Sequence, residues 1–301
     1  MKPKPDATIV LKPKLPFDFD LSSKTYNTNK YQTHGAYIDK TLYKCLQIDE
    51  ETSLITITEH NNELLANLHG NNLERLEETA KWIISAELDL APFYKTDDKP
   101  MRTLIESNYG LKPSRTASIY EALIIAITEQ QISLNVAYKI QDRLAKKYGS
   151  KYEFGPHTFY SFPTPDIISN VEIMDLRQLG LSRNKASYII DISKKIASDG
   201  FDLESLKYVS TDEVREVMLS LRGVGPWTAN YVLIRGLGRT NMVPYDDLGL
   251  RDSVGYYYRD GERVSSDEAE EIFSRFGDYK GIACFYLLFA RVFLEKIKDL
   301  Q

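Results

Sequence analysis

Two adjacent aspartates, Asp246 and Asp247, follow a glycine-punctuated segment, LRGVGPWTAN, at Leu221–Asn230. The residue types there suit chemistry on a nucleotide. Gly223 and Gly225 fit a tight turn, because glycine reaches left-handed dihedrals without a Cβ penalty and lets another backbone come close. Free amides where such a turn opens a helix make a seat for phosphate. Trp227 and Tyr231 are i and i+4 on one helix face. A helix and a short loop after Trp227 bring the chain back towards the glycine end, so Asp247 meets the edge of a groove beside the two aromatics. Phosphate seat, aromatic surface and carboxylate together suit a nucleotide whose base has left the stack. Bland readings compete: glycine for steric reasons alone, aromatics in a core, and aspartates capping the helix that starts at Leu248.

The elements that must position these groups are helical. Val214, Val217, Met218 and Leu221 recur at helical spacing before the glycines, and Trp227–Leu237 reads as a more apolar helix after them. Ile119–Tyr148 is helical throughout, with two helices meeting near Glu129–Ser133 and Ser133 as the N-cap of the second. Further helices are expected at Arg102–Tyr109, Arg183–Ser198, Ser266–Phe276 and Ile282–Lys298, with no strand beyond DLAPFYKTDDKP. Before that boundary, ATIVLKPKLPFDFDL reads as an edge strand broken by Pro13 and Pro16. AYIDKTLYKCLQID, SLITITEH and ELLANLHG read as strands, with a turn at Glu50-Glu51-Thr52, and Asn72–Ala86 as a helix. The expected fold class is therefore α+β: a small α+β domain over 1–98, then an all-α bundle over 99–301 whose two helical subdomains flank a cleft.

Composition narrows the class. The chain has 301 residues, 43% apolar and 27% charged, with a formal net charge of −5. That balance argues weakly against a nucleic-acid binder, but binding depends on where the charges sit. Cys45 and Cys284 stand far apart, which excludes a disulfide framework and an iron–sulfur cluster and fits a reducing compartment. No apolar run is long enough to span a membrane, and the N-terminus lacks a signal-peptide core. The expectation is a cytoplasmic or nucleoid-associated monomer with no membrane partner. Lys139, Arg143, Lys146, Lys147 and Lys151 read as a solvated face, and His34, His60, His69 and His157 form no ligand spacing.

LRGVGPWTANYVLIRGLG followed by VPYDDLGLR resembles the helix-hairpin-helix and aspartate signature of the helix-hairpin-helix DNA glycosylase superfamily, nearest its 3-methyladenine DNA glycosylase II (AlkA) type. GLKPSRTASIYEALIIAITEQQIS and LGLSRNKASYIIDIS resemble two further stretches of that family, so the likeness runs from about Asp89 onward. It implies a base-excision enzyme that flips an alkylated base from duplex DNA and hydrolyses its glycosidic bond. Asp247 falls on the catalytic aspartate, with Asp246 second. Leu221, Gly223, Val224 and Gly225 fall on the DNA-binding hairpin, where the family often holds a monovalent or other cation, here at the carbonyls of Leu221 and Val224. Trp227 and Tyr231 fall on the base pocket, and Gln130 and Gln131 on the junction that enters DNA. Arg183 and Lys185, at a helix start beside the LGLS turn, are further DNA-backbone candidates.

Two positions depart from the best-known bacterial enzyme of the family: Gln131 replaces an apolar wedge, and Leu288 replaces a pocket tryptophan. The resemblance also implies a monofunctional enzyme without cofactor. Trp227 stands where the superfamily's lyases carry a Schiff-base lysine, and no lysine occurs between Arg222 and Ile272. The four-cysteine loop of the endonuclease III branch is absent. Chemistry agrees with an aspartate in this role: a carboxylate beside C1′ stabilises the oxocarbenium-like transition state and can orient water. Aromatic faces attract a cationic base by about 0.5–2 kcal/mol. The competing functions are a non-catalytic helix-hairpin-helix protein of damaged or bent DNA, and a family member specialised for deaminated or oxidised bases.

Overall fold

The computed structural model describes residues 3–26, 35–61, 63–198 and 200–293. His34 and the expected end of the last helix near Lys298 lie outside the described residues. The architecture is α+β: an antiparallel sheet precedes a helical bundle. The sheet holds β1 (Ala7–Leu11), β2 (Ala36–Ile38), β3 (Thr41–Ile48), β4 (Glu51–His60) and β5 (Glu63–His69) in the order β1-β5-β4-β3-β2, with α1 (Phe19–Ser23) between the first two strands. The proline-limited β1 is an edge strand, as expected. AYIDKTLYKCLQID is two strands, because Asp39 and Lys40 take φ of 48° and 58° and close a hairpin. The following turn is at Asp49-Glu50, with φ of 49° and 66°. Glu51 and Thr52, expected in that turn, instead open β4. Type I′ two-residue hairpins need positive φ at both central positions, and a pattern of charged residues does not mark which two.

Strand alternation sends side chains into two cores. Leu42, Leu46, Ile55, Ile57 and Ala66 pack on Leu76, Ala80 and Ile83 of α2 (Leu73–Ile83). Tyr43, Cys45 and Leu54 point the other way and pack on Phe154 and Phe159. Those two phenylalanines belong to a hairpin, β6 (Lys151–Phe154) and β7 (His157–Tyr160), inside the part expected to be all-helical. The expectation of no strand there is therefore corrected. Each strand is four residues long, too short for a clear period, and flanking helices dominate any window around it.

The remaining elements are α3 (Lys99–Ser107), α4 (Ile119–Glu129), α5 (Leu134–Tyr148), α6 (Pro165–Ser169), α7 (Ile173–Gln178), α8 (Arg183–Ser198), α9 (Thr211–Ser220), α10 (Pro226–Tyr231), α11 (Leu248–Tyr258), α12 (Ser266–Ser274) and α13 (Lys280–Leu288). They form two cores. One gathers α4 to α10 around Ile124, Ile127, Ile189, Met218 and Leu233. The other joins Leu90, Phe93 and α3 to α11, α12 and α13 through Phe273 and Tyr286. Helix α4 runs through the middle, and residues from Ile119 to Thr128 are buried. Ser118 caps it by accepting the Glu121 amide at 3.0 Å, and the Glu204 carboxylate takes the Ile119 amide at 2.8 Å. Ser133 occupies the cap position of α5, but its hydroxyl makes no capping bond. Lys44 of β3 and Glu121 of α4 form an ion pair at 2.6 Å, each side chain only 3% exposed, which pins the sheet to the central helix.

Candidate active site

The glycine turn joins α9 to α10. Ser210 and Glu213 form a reciprocal capping box that starts α9. The Val224 amide donates to the Leu221 carbonyl at 3.1 Å to close the turn, and Leu221 and Val224 bury their side chains. Gly223 has φ of +86°, and a Cβ there would lie 2.1 Å from the Tyr188 ring. The fold itself therefore demands that glycine. Gly225 differs: its φ is −98°, and a Cβ there would meet nothing within 4 Å. Among the described residues, neither the Gly223 nor the Gly225 amide donates to a backbone carbonyl. Pro226 opens α10, where its fixed φ fits and its missing N–H costs nothing.

Gln130 ends α4 and reaches the turn. Its side-chain amide donates to the Gly223 carbonyl at 2.9 Å and to Thr228 Oγ1 at 2.8 Å. The Lys185 ammonium donates to the carbonyls of Thr128 and Gln130. Gln130 and Lys185 thus brace the hairpin against α4 and α8. Gln131 is exposed at the apex of the α4–α5 junction with φ of +55°, followed by exposed Ile132. Arg183 is exposed at the start of α8. Arg222 pairs with Asp191 at 3.0 Å and lies over the Tyr188 ring.

Asp247 faces this assembly across the two cores. One carboxylate oxygen accepts the Trp227 indole N–H at 2.9 Å, and the other accepts the Leu250 amide at 2.8 Å. The capping role expected within the aspartate pair falls to Asp247, the N-cap of α11. Asp246 is exposed and accepts from Ser266 Oγ at 2.9 Å, away from the indole. Trp227 and Tyr231 are half-buried with ring centroids 5.7 Å apart. The expected continuous helix Trp227–Leu237 changes character after Tyr231, where Val232–Gly236 forms a π-helical turn. Burial pushes the Cys284 thiol up, and the Asp247 charge adds to it, so Cys284 of α13 lies within reach of the carboxylate's field. Leu288 is half-buried one turn further along the same face.

Tyr188 and Glu129 escaped the sequence reading. Tyr188 lies inside the LGLSRNKASYIIDIS stretch, whose likeness gives it no role of its own. Glu129 was visible as the one acidic residue in the last turn of an otherwise apolar helix end. A separate cleft of about 660 Å³ opens at the other end of α4, between Trp82, Ser118, Phe162 and Phe201, and includes none of the hairpin residues or Asp247.

The family model for HhH-GPD superfamily base excision DNA repair proteins matches residues 124–278. The chain belongs to that superfamily. The hairpin and Asp247 both lie inside the matched span. A DNA-3-methyladenine glycosylase of Bacillus subtilis (strain 168) is 27% identical over 292 residues, covering 94% of this chain and 96% of its own. The solved 3-methyladenine DNA-glycosylase from Archaeoglobus fulgidus superposes with a TM-score of 0.85 at 27% identity, over 95% of this chain and 99% of that one. An 8-oxoguanine glycosylase/lyase of Clostridium acetobutylicum shares the fold, with a TM-score of 0.75 at 17% identity over 97% of this chain and all of that one. This HhH-GPD member is thus a DNA glycosylase of base excision repair.

Proposed function

We propose that this glycosylase is monofunctional and removes alkylated bases, of the 3-methyladenine and 7-methylguanine type, from duplex DNA to leave an abasic site. The observation that carries the reading is the Asp247 carboxylate, fixed between the Trp227 indole N–H and the Leu250 amide. So held, it can stabilise positive charge growing on the sugar without reorganising. The extruded base stacks against Trp227 and Tyr231, and a cationic base gains further from the aromatic faces. The unengaged amides of Gly223 and Gly225 receive the DNA phosphate. Peptide carbonyl oxygens suit a hard cation; one bound at the hairpin would share the Leu221 oxygen with the Val224 amide and add the Val224 oxygen. Arg183 is the freer of the two basic candidates on α8, since Lys185 holds carbonyls of the α4 end. Trp227 in place of the lyase lysine supports a purely hydrolytic reaction by the monomer.

Duplexes carrying 7-methylguanine, 3-methyladenine, hypoxanthine or 8-oxoguanine are incubated with the protein and free base is measured. Release is expected from the methylated purines, with none above background in Asp247→Asn. Preferential release of hypoxanthine or 8-oxoguanine would overturn the alkylated-base reading. Strand breakage without added heat or alkali would overturn the monofunctional one.

A further inference from the structure

Glu129 is a carboxylic acid in an unusual place. It closes α4, immediately before Gln130, and is half-buried. One oxygen, Oε1, accepts from the Gln141 side-chain amide at 3.3 Å; Oε2 has no hydrogen-bond partner among the described residues. Tyr231 shares this condition: it is half-buried, and its hydroxyl has no partner among the described residues. Glu129 is the charged group that acts most strongly on that hydroxyl. Tyr231 in turn leans on Trp227, which holds Asp247. Both side chains are half-buried, so each keeps an accessible side. Polar atoms left unmet on such a side are the ones a ligand meets.

Resting on the glycosylase reading above, we infer that Glu129 is a specificity-determining residue whose free carboxyl oxygen, with the Tyr231 hydroxyl, contacts the polar edge of the extruded base. The groups facing it are Lys185 of α8, Arg235 of the 232–236 turn, Tyr231 of α10, and Gln141 of α5. Burial pushes the carboxyl up to about 7, against the hydrogen bond from Gln141 and the charges of Arg235 and Lys185. Near neutral pH the acid therefore exists in two forms with different tastes. Ionised, it attracts a ring carrying positive charge, as 7-methylguanine does. Protonated, it offers a hydrogen bond to a neutral carbonyl such as that of hypoxanthine. A site built on this pair prefers cationic bases above pH 7 and loses that preference below it.

The test compares duplexes with 7-methylguanine and with hypoxanthine, between pH 5.5 and 8.5, by single-turnover release and by equilibrium binding. For the wild-type chain the ratio of 7-methylguanine to hypoxanthine rises through pH 7 by about tenfold, the weight of a one-unit coupling between two charges. In Glu129→Gln the ratio falls and no longer varies with pH; Tyr231→Phe, which keeps the ring, lowers it as well. A ratio and pH profile unchanged in Glu129→Gln overturns the inference, as does an equal loss on both bases, which is what a merely structural residue would give. Were the wild-type chain to release no base, the glycosylase reading would fail by itself. The binding ratio still decides the case then: equal affinities for the two duplexes at every pH overturn the role of Glu129.

Discussion

Single residues in the hairpin carry separable burdens. Gly223 is required by its own fold, because its φ is positive and the Tyr188 ring fills the space of a side chain. Gly225 meets no such demand, and the proposed phosphate seat gives its open side a use. Gly223→Ala is expected to cost about 1–3 kcal/mol in denaturant melts, the usual range for overpacking. Gly225→Ala should leave stability within about 0.5 kcal/mol and yet weaken duplex binding; normal binding by that variant would remove the phosphate seat. At Asp247, replacement by Asn keeps the shape and removes the charge. Loss of about 10²–10³-fold in single-turnover rate is expected, as for other preorganised electrostatic groups. Trp227→Phe keeps an aromatic wall but frees the carboxylate from the indole, and should slow release by about tenfold, the value of one hydrogen bond.

At the scale of elements, the end of α4 reaches the hairpin turn, and Glu129 there has a thermodynamic signature. Folding raises the Glu129 acid from the ordinary carboxyl range to about 7, chiefly through burial. A raised acid holds its proton in the folded chain at pH values where the unfolded chain has released it. Its contribution to stability is full below the unfolded value and is lost as pH rises through about 7. Glu129→Gln therefore melts with the wild type near pH 4 and above it at pH 8; a constant offset across that range would contradict the shifted acid. Helices of this kind were readable in advance where their apolar residues repeat over three turns, as in α4, α5 and α8. The α4–α5 junction, the hairpin glycines and Asp247 could be placed from their motifs. The partners of Gln130 and Lys185 could not, because they are carbonyls of distant turns and leave no trace in residue type. The β6–β7 hairpin was missed for a related reason: its aromatics answer to the sheet's far face, more than eighty residues earlier in the chain.

Across the whole molecule, the buried Lys44–Glu121 pair ties the sheet to the bundle. Removing one partner leaves an uncompensated charge, so Lys44→Met is expected to cost about 3–5 kcal/mol by equilibrium denaturation. Adding Glu121→Leu should recover part of that loss, and no recovery would deny the coupling. The sheet also depends on the bundle's half of the chain for its second cover. Tyr43, Cys45 and Leu54 are complete as a surface once β5 has formed, but Phe154 and Phe159 follow roughly 90 residues later. During synthesis at about 5–20 residues per second, the growing chain carries that bare apolar face for roughly 5–18 s before its cover leaves the ribosome. A repair enzyme built this way meets its first hazard at birth, and the nascent sheet is the surface a chaperone would hold.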